Sequence, residues 1–276
     1  MDEWPLAYVG VPLGKHLVIT ARISIKLFDD DLRVLNKRFG RAVPEHLGVK
    51  ELLAGAALLH DVGKASDYYR NVIKNTKRVS FYMHEIAWPL VLLSLAYVSL
   101  DSDPKNELVF KYLELVAGII SRHHASMKCR HPVDLVRDRN YCSKRLHVVR
   151  EVIRGFDIDT VIGLLNELRE AEDFGIPDRV WKALLDRGLL KEAIERSPQN
   201  IDHDIQSLVP TNHDDESLPM IISLTGLLIV ADTLAASFLE KRESDDGVAP
   251  AYALHWRNEL WRRFSMFTKA NSIEHF

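Results

Sequence analysis

Apolar residues recur along most of this chain at the three-to-four-residue spacing of an amphipathic helix, and alternating runs of β-branched residues are scarce. From His16 to Phe39 the apolar set Leu17, Ile19, Ile23, Ile25, Leu27, Leu32, Val34 and Leu35 predicts a helix. Glu51 to His60, rich in Ala and Leu, predicts a second, with Gly63 as its stop. Ser66 is a suitable cap for a third over Asp67 to Lys74. His84 to Ser99 and Glu107 to Ser121 read as strongly apolar helices, and His147 to Arg154, Thr160 to Glu172 and Asp178 to Glu195 as further ones. Ser197 to Ser217 is polar and contains Pro198 and Pro210, so about 197–217 is expected to be a surface loop. An apolar helix then runs to Leu239, a polar break follows through Pro250, and a final helix spans about 251–267. The expectation is all-α, one domain over 1–276, with at most a minor β-hairpin near Val79 to Tyr82.

Leu218 to Leu239 changes this picture, because its 22 residues carry a single charge, Asp232. That is long enough to span a bilayer. No basic cluster flanks its start, however, so a helix buried in a large helical protein is the preferred reading and no membrane partner is expected. The lone acid then needs a reason to be buried. The N-terminal MDEWPLAYVG has no basic start and no apolar signal core, so a cytoplasmic location is expected. Cys129 and Cys142 fit a reducing compartment as two free thiols, with a disulfide as the alternative if the source is a thermophile; with His131 and His147 they match no common zinc spacing.

His-Asp occurs three times, at His60-Asp61, His203-Asp204 and His213-Asp214. The last two fall in the polar stretch and read as solvated coincidences. The first closes an apolar helix, in LLHDVGKAS. Other histidines sit at the ends of apolar helices too: His84 opens one and His123-His124 follow another. Each alone has an ordinary reading as a hydrogen-bonded core or surface residue. Together with the buried acid Asp232 they suggest a metal site, because several such groups buried without an ion would be left unpaired. Imidazole and carboxylate suit Mn, Fe, Co, Ni or Zn better than calcium. Asp61 is the natural bridge, since a carboxylate can serve two ions and a neutral histidine normally does not. Gly63 would permit the turn that aims both side chains at one centre.

The ordered series His60-Asp61 with Val62-Gly63-Lys64, His84, His123-His124 and Asp232 in VADTLAAS resembles the HD superfamily of metal-dependent phosphohydrolases. The His-His pair and the setting of Asp232 resemble more specifically the CRISPR-associated HD nuclease, the nuclease half of the type I interference helicase–nuclease. The resemblance spans about 15–237. It implies an HD-domain helical bundle with one or two divalent ions, Mn, Ni, Co or Fe, with Mg as a further candidate. It implies that His16, His60, Asp61 and Asp232 hold one ion, and that Asp61 bridges to a second held by His84, His123 and His124. Asp61 and Lys64 are the implied catalytic pair, with Lys64 meeting a phosphate. The implied activity is endo- or exonucleolytic hydrolysis of single-stranded DNA in antiviral defence. The family commonly fuses this nuclease to a helicase, but GVPLGK at Gly10 to Lys15 is not a phosphate-binding loop, so the helicase and an RNA-guided effector complex are expected as separate partners.

The net charge is -3, so any polynucleotide must be held locally. Arg122 to Arg150 contains eight Lys or Arg and two acids. Arg122, Lys128, Arg130, Arg137, Arg139, Lys144 and Arg145 are the expected track, beginning at the proposed ligands, and Tyr141 could stack on a base. The competing readings are a phosphohydrolase of small or cyclic nucleotides, favoured by a closed nucleoside pocket, and a helical scaffold using the surfaces of Thr160 to Glu195.

Overall fold

The computed structural model describes residues 4–8, 10–45, 47–76, 81–124, 129–209 and 216–240. The expected helix at 251–267, His213-Asp214, Lys128 and half of the expected hairpin at Val79 to Tyr82 lie outside the described residues. The protein is mostly helical, as the spacing of its apolar residues requires. The described strands are β1 (Leu6–Tyr8) and β2 (Val11–Pro12), an antiparallel pair turned by Gly10 at φ 78°. The hairpin therefore lies at the N-terminus, and Phe81 and Tyr82 are not in a strand.

The periodic stretch after His16 is two helices, α1 (Leu13–Lys26) and α2 (Asp29–Phe39). They part at Leu27-Phe28, where Asp29, Asp30 and Asp31 open the second helix with charges that suit its positive end. Then come α3 (Val49–Leu59), a 3-10 turn at Val62–Ala65, α4 (Asp67–Thr76), α5 (His84–Ser102) and α6 (Glu107–Ile120). The Ser66 hydroxyl accepts from the Tyr68 amide at 3.3 Å, as a residue capping α4 should. Next are α7 (Pro132–Arg137), α8 (Arg139–Arg154), α9 (Ile158–Ala171), α10 (Asp178–Leu185), α11 (Arg187–Ser207) and α12 (Ser217–Glu240).

Three further expectations are corrected. Residues 197–207 are not a loop but the second half of α11, with Pro198 inside it. Tertiary contacts outweigh the proline: Ser197 Oγ donates to the Ala193 carbonyl at 2.8 Å and meets Ser94 Oγ at 2.9 Å on α5, while Ile194, Ile201 and Ile205 are buried. Asp204, expected to be solvated, is 2% exposed and accepts from Ser94 Oγ at 3.2 Å. Cys129 and Cys142 are not free thiols but a disulfide, because the turn at Cys129 brings the two Cα atoms to 5.6 Å.

One contiguous core runs from Ala7 to Leu239, and α5 lies at its centre, packed against α6, α8 and α11. Helix α1 is flanked by α3 and α12. By length and composition alone, His84–Ser102 and Ser217–Leu239 could each cross a membrane; the first is mostly buried in the protein, and the second leaves Ile222 and Ile229 exposed.

Candidate metal centre

Five segments bring their polar residues to one buried point. Helix α1 carries His16 on the face it turns to α3 and α12. His60 caps the C-terminal end of α3, and Asp61 and Lys64 follow in the 3-10 turn. His84 is the first residue of α5, set by Met83 in the left-handed region at φ 72°. His123 and His124 follow α6, and Asp232 lies in the middle of α12. His16, His60, Asp61, His84 and His123 are each less than 5% exposed.

The side chains fall into two groups around one carboxylate. His16, His60, Asp61 and Asp232 offer ligand atoms within 4.8 Å of one another, and so do His84, His123 and His124. His16 Nε2 is 3.0 Å from Asp232 Oδ1 and 3.5 Å from Asp61 Oδ2. His60 Nε2 is 3.5 Å from Asp232 Oδ1 and 3.4 Å from Asp61 Oδ2. The other oxygen of Asp61 faces the second group: Oδ1 is 2.7 Å from His84 Nε2 and 3.7 Å from His123 Nε2. Ligands held about 2.1 Å from one first-row ion at tetrahedral angles stand roughly 3.4 Å apart, so these spacings suit shared ions.

Hydrogen bonds show which atoms are on offer. His60 Nδ1 meets the Ala57 carbonyl at 2.9 Å, His123 Nδ1 meets the Ile120 carbonyl at 2.6 Å, and His84 Nδ1 meets the Phe81 carbonyl. A carbonyl only accepts, so Nδ1 carries the proton in each neutral ring and Nε2 keeps its lone pair. The Nε2 atoms of His16, His60, His84 and His123, and Asp61 Oδ1, are buried and make no hydrogen bond within the protein. So many orphaned acceptors at one point would be costly, and divalent ions satisfy them together. The residues present therefore fit a metal centre.

The electrostatics agree. Burial alone would raise the Asp61 pKa, but His60, Lys64 and His84 outweigh it and hold the group well below the usual carboxylate range. Asp232 is depressed in the same way by His16 and His60 against its own burial. Burial, with His123 and His84 beside it, pushes His124 down to about 2, so its ring is neutral. Lys64 Nζ lies 2.5 Å from Asp61 Oδ2 and donates to the Ala7 carbonyl at 3.3 Å.

Compared with protein-family models, curated proteins and solved structures, the chain matches none. Its site is therefore read from its own geometry: a mostly helical protein with two adjoining groups of histidine and aspartate able to hold metal ions.

The basic segment is only partly a surface. Arg122 is 5% exposed and is spent inside the protein, donating to the Gly118 carbonyl at 2.7 Å and the Leu208 carbonyl at 2.6 Å. Arg130 is 8% exposed and paired with Glu85. Neither belongs to an open track, because the donors of Arg122 are spent on internal carbonyls and the charge of Arg130 is paired with Glu85. Arg137, Arg139, Lys144, Arg145 and Tyr141 are exposed, with Arg139 paired to Asp202.

Gly63 serves differently from its expected role. It does not adopt positive φ; it makes room. A Cβ there would lie 2.6 Å from the His84 carbonyl oxygen and 3.0 Å from His84 Cβ. Gly63→Ala is therefore expected to push the start of α5 off the Asp61 turn, costing about 1–3 kcal/mol. Thermal melts with and without Mn2+ check this: the variant should melt several degrees lower and gain less from the metal, and wild-type behaviour on both counts would refute it. Tyr8 and Glu85 went unnoticed in the sequence. Tyr8 stands edge-on to His16 with ring centres 5.8 Å apart, and Glu85 is a fully buried acid beside His84. A glutamate opening an otherwise apolar helix, HEIAWPLVLL, was the available signal for the second.

Proposed function

We propose that this chain is a metal-dependent phosphodiester hydrolase, a nuclease acting on single-stranded DNA. The observation that carries the reading is Asp61, whose two oxygens are divided between the two ligand groups. In this reading His16, His60, Asp61 and Asp232 hold one ion, and Asp61, His84, His123 and His124 the other. Bound divalent ions would lower the pKa of a water and neutralise charge developing on a phosphate. Three histidines in one group and two in the other favour Mn, Co, Ni or Fe over Mg.

The chain's own residues do the rest. Asp61 sits between the groups and fixes their separation. Lys64 grips Asp61 Oδ2 and, 12% exposed, reaches the edge of the site, where its ammonium can meet a nonbridging phosphate oxygen. Asp232 is 23% exposed, so its side of the site is more open than that of Asp61. A flexible strand can enter such a recess more readily than a duplex. The likeness of the ordered motif to the CRISPR-associated HD nuclease supports a separate helicase and an RNA-guided complex as partners and a cytoplasmic setting, against which stands the Cys129–Cys142 disulfide, a bond rare in reducing compartments.

Arg137, Lys144 and Arg145 remain as the exposed cations of the strand track. Reversing Arg137 and Lys144 to Glu, which leaves Arg145 on the Tyr82 ring, is expected to weaken cleavage of single-stranded DNA by about tenfold at moderate salt while sparing a small chromogenic phosphodiester. Equal loss on both substrates would remove the track. The burial of Arg122 and Arg130 shortens that track and favours the second reading, hydrolysis of small or cyclic nucleotides. The deciding experiment incubates the purified chain with Mn2+, Co2+ or Ni2+ and labelled single-stranded DNA, duplex DNA and cyclic mononucleotides. Metal-dependent loss of the single strand is expected; turnover of the mononucleotides alone would establish the second reading, and no turnover of any would overturn both.

A further inference from the structure

Glu85 is fully buried in the first turn of α5, between His84 and the apolar run Ile86, Ala87, Trp88. A buried carboxylate costs several kcal/mol unless its partners are well placed, and an apolar residue would be cheaper there if packing were the only demand. Its two oxygens have different surroundings. Oε1 accepts from Arg130 Nε. Oε2 makes no hydrogen bond and stands 3.4 Å from His84 Nδ1, the nitrogen opposite the one aimed at Asp61. The proton on Nδ1 goes to the Phe81 carbonyl, so Glu85 acts on this ring through its charge.

Arg130 is placed with equal care. It follows Cys129, which is in the left-handed region at φ 60° and is joined to Cys142 on α8. Its guanidinium lies 5.4 Å from the centre of the Tyr82 ring, and Arg145, also on α8, lies 4.1 Å from the same ring. Tyr82 is in turn fixed where the Tyr69 hydroxyl donates to its carbonyl at 2.6 Å. A line of contacts thus runs from the α8 anchor through Arg130 and Glu85 to the back of His84. Of Arg130, Glu85 and His84, only His84 is a candidate ligand in the site described above.

We infer that Glu85 and Arg130 are positioning residues for the second ion: the Phe81 carbonyl orients His84, the Glu85 carboxylate behind the ring makes its Nε2 a stronger donor, and Arg130 holds Glu85 to that task. This rests on the metal-centre reading. Carboxylates behind a ligating histidine are worth about 10–100-fold in metal affinity, because they fix the ring and raise its basicity. The first group has no such device, since neither nitrogen of His16 is hydrogen-bonded and His60 leans on a carbonyl alone.

The test is equilibrium dialysis of the intact chain against Mn2+ with metal analysis, on wild type, Glu85→Gln, Arg130→Met and Arg130→Lys. Glu85→Gln keeps the volume and removes the charge; it should weaken one binding event about 10–100-fold and leave the other alone. Arg130→Met should do the same, and Arg130→Lys, which keeps the cation, should recover part of the loss even if Glu85→Gln folds poorly. Turnover by Glu85→Gln should return as Mn2+ is raised. Metal binding equal to wild type in folded Glu85→Gln and Arg130→Met, with only the melting temperature lowered, overturns the inference and leaves the metal centre standing. A wild-type chain that binds no metal overturns both.

Discussion

Asp61→Ala should silence the protein. Both ligand groups share this side chain, so its removal is expected to abolish uptake of one ion and weaken the other. Metal-dependent cleavage should fall by at least about 10³-fold, the equivalent of the several kcal/mol that such ions supply. The variant also strips Lys64 Nζ of a carboxylate 2.5 Å away and leaves a nearly buried cation with a lone carbonyl. Breaking a buried pair in this way costs about 3–5 kcal/mol, so part of the loss could be loss of fold. Asp61→Asn separates the two, because it keeps the shape and one acceptor oxygen while losing the charge. It should remain helical by circular dichroism and still fail to bind Mn2+ tightly. Wild-type cleavage and Mn2+ uptake in either variant would remove the bridging role and the function built on it.

Metal binding itself should give the second large effect, and its pH dependence has a definite sign. In the metal-free protein burial draws the His60 pKa down, but Asp61 and Asp232 outweigh it and lift the ring to about 10. A histidine lifted above its unfolded value of about 6.5 adds stability that is complete below that pH and is lost as pH rises toward the folded value. Asp61 and Asp232, both depressed, add stability above about pH 4 that disappears in strong acid. These three groups together contribute most between about pH 4 and 6.5, while His123 and His124, whose pKa values burial lowers, act the other way and cost stability as pH falls below about 6.5. An ion takes the place of the His60 proton, so it binds better as pH rises and compensates where the proton is lost. At one hundred times its dissociation constant an ion stabilises by about 2.7 kcal/mol, which is roughly 5–10 °C for a chain of this size. The melting-temperature gap between Mn2+-loaded and EDTA-treated protein should be small near pH 5.5 and reach that range near pH 8. A gap that is absent, or the same at both values, would count against histidine ligation.

Most of the candidate ligands were visible in the sequence because they interrupt apolar helices, whereas His16 was reached only through the resemblance. His60 ends one and His84 begins another, and Asp232 stands alone among 22 residues that are otherwise uncharged. Such a polar residue has no cheap place in a core, so its presence signals a task. The same reasoning failed where a polar residue finds an ordinary partner inside. Arg122 looked like surface charge but closes onto two carbonyl oxygens, and Asp204 looked solvated but is paired with Ser94. Pro198 suggested a loop and proved compatible with a helix, since Ile194, Ile201 and Ile205 still fall on one face against α5. Free thiols were preferred to the disulfide because spacing along the chain does not report the distance across a turn.

Sequence alone determined that the chain would be helical and which residues were candidates for metal, because helix periodicity and the cost of burying charge are local properties of each segment. Only the tertiary structure decided that residues as far apart as His16 and Asp232 meet, that Asp61 turns one oxygen to each group, and that Glu85 stands behind His84. Those facts depend on how five separate segments pack, and a distance of three ångströms between side chains is set by the whole core rather than by any stretch of sequence.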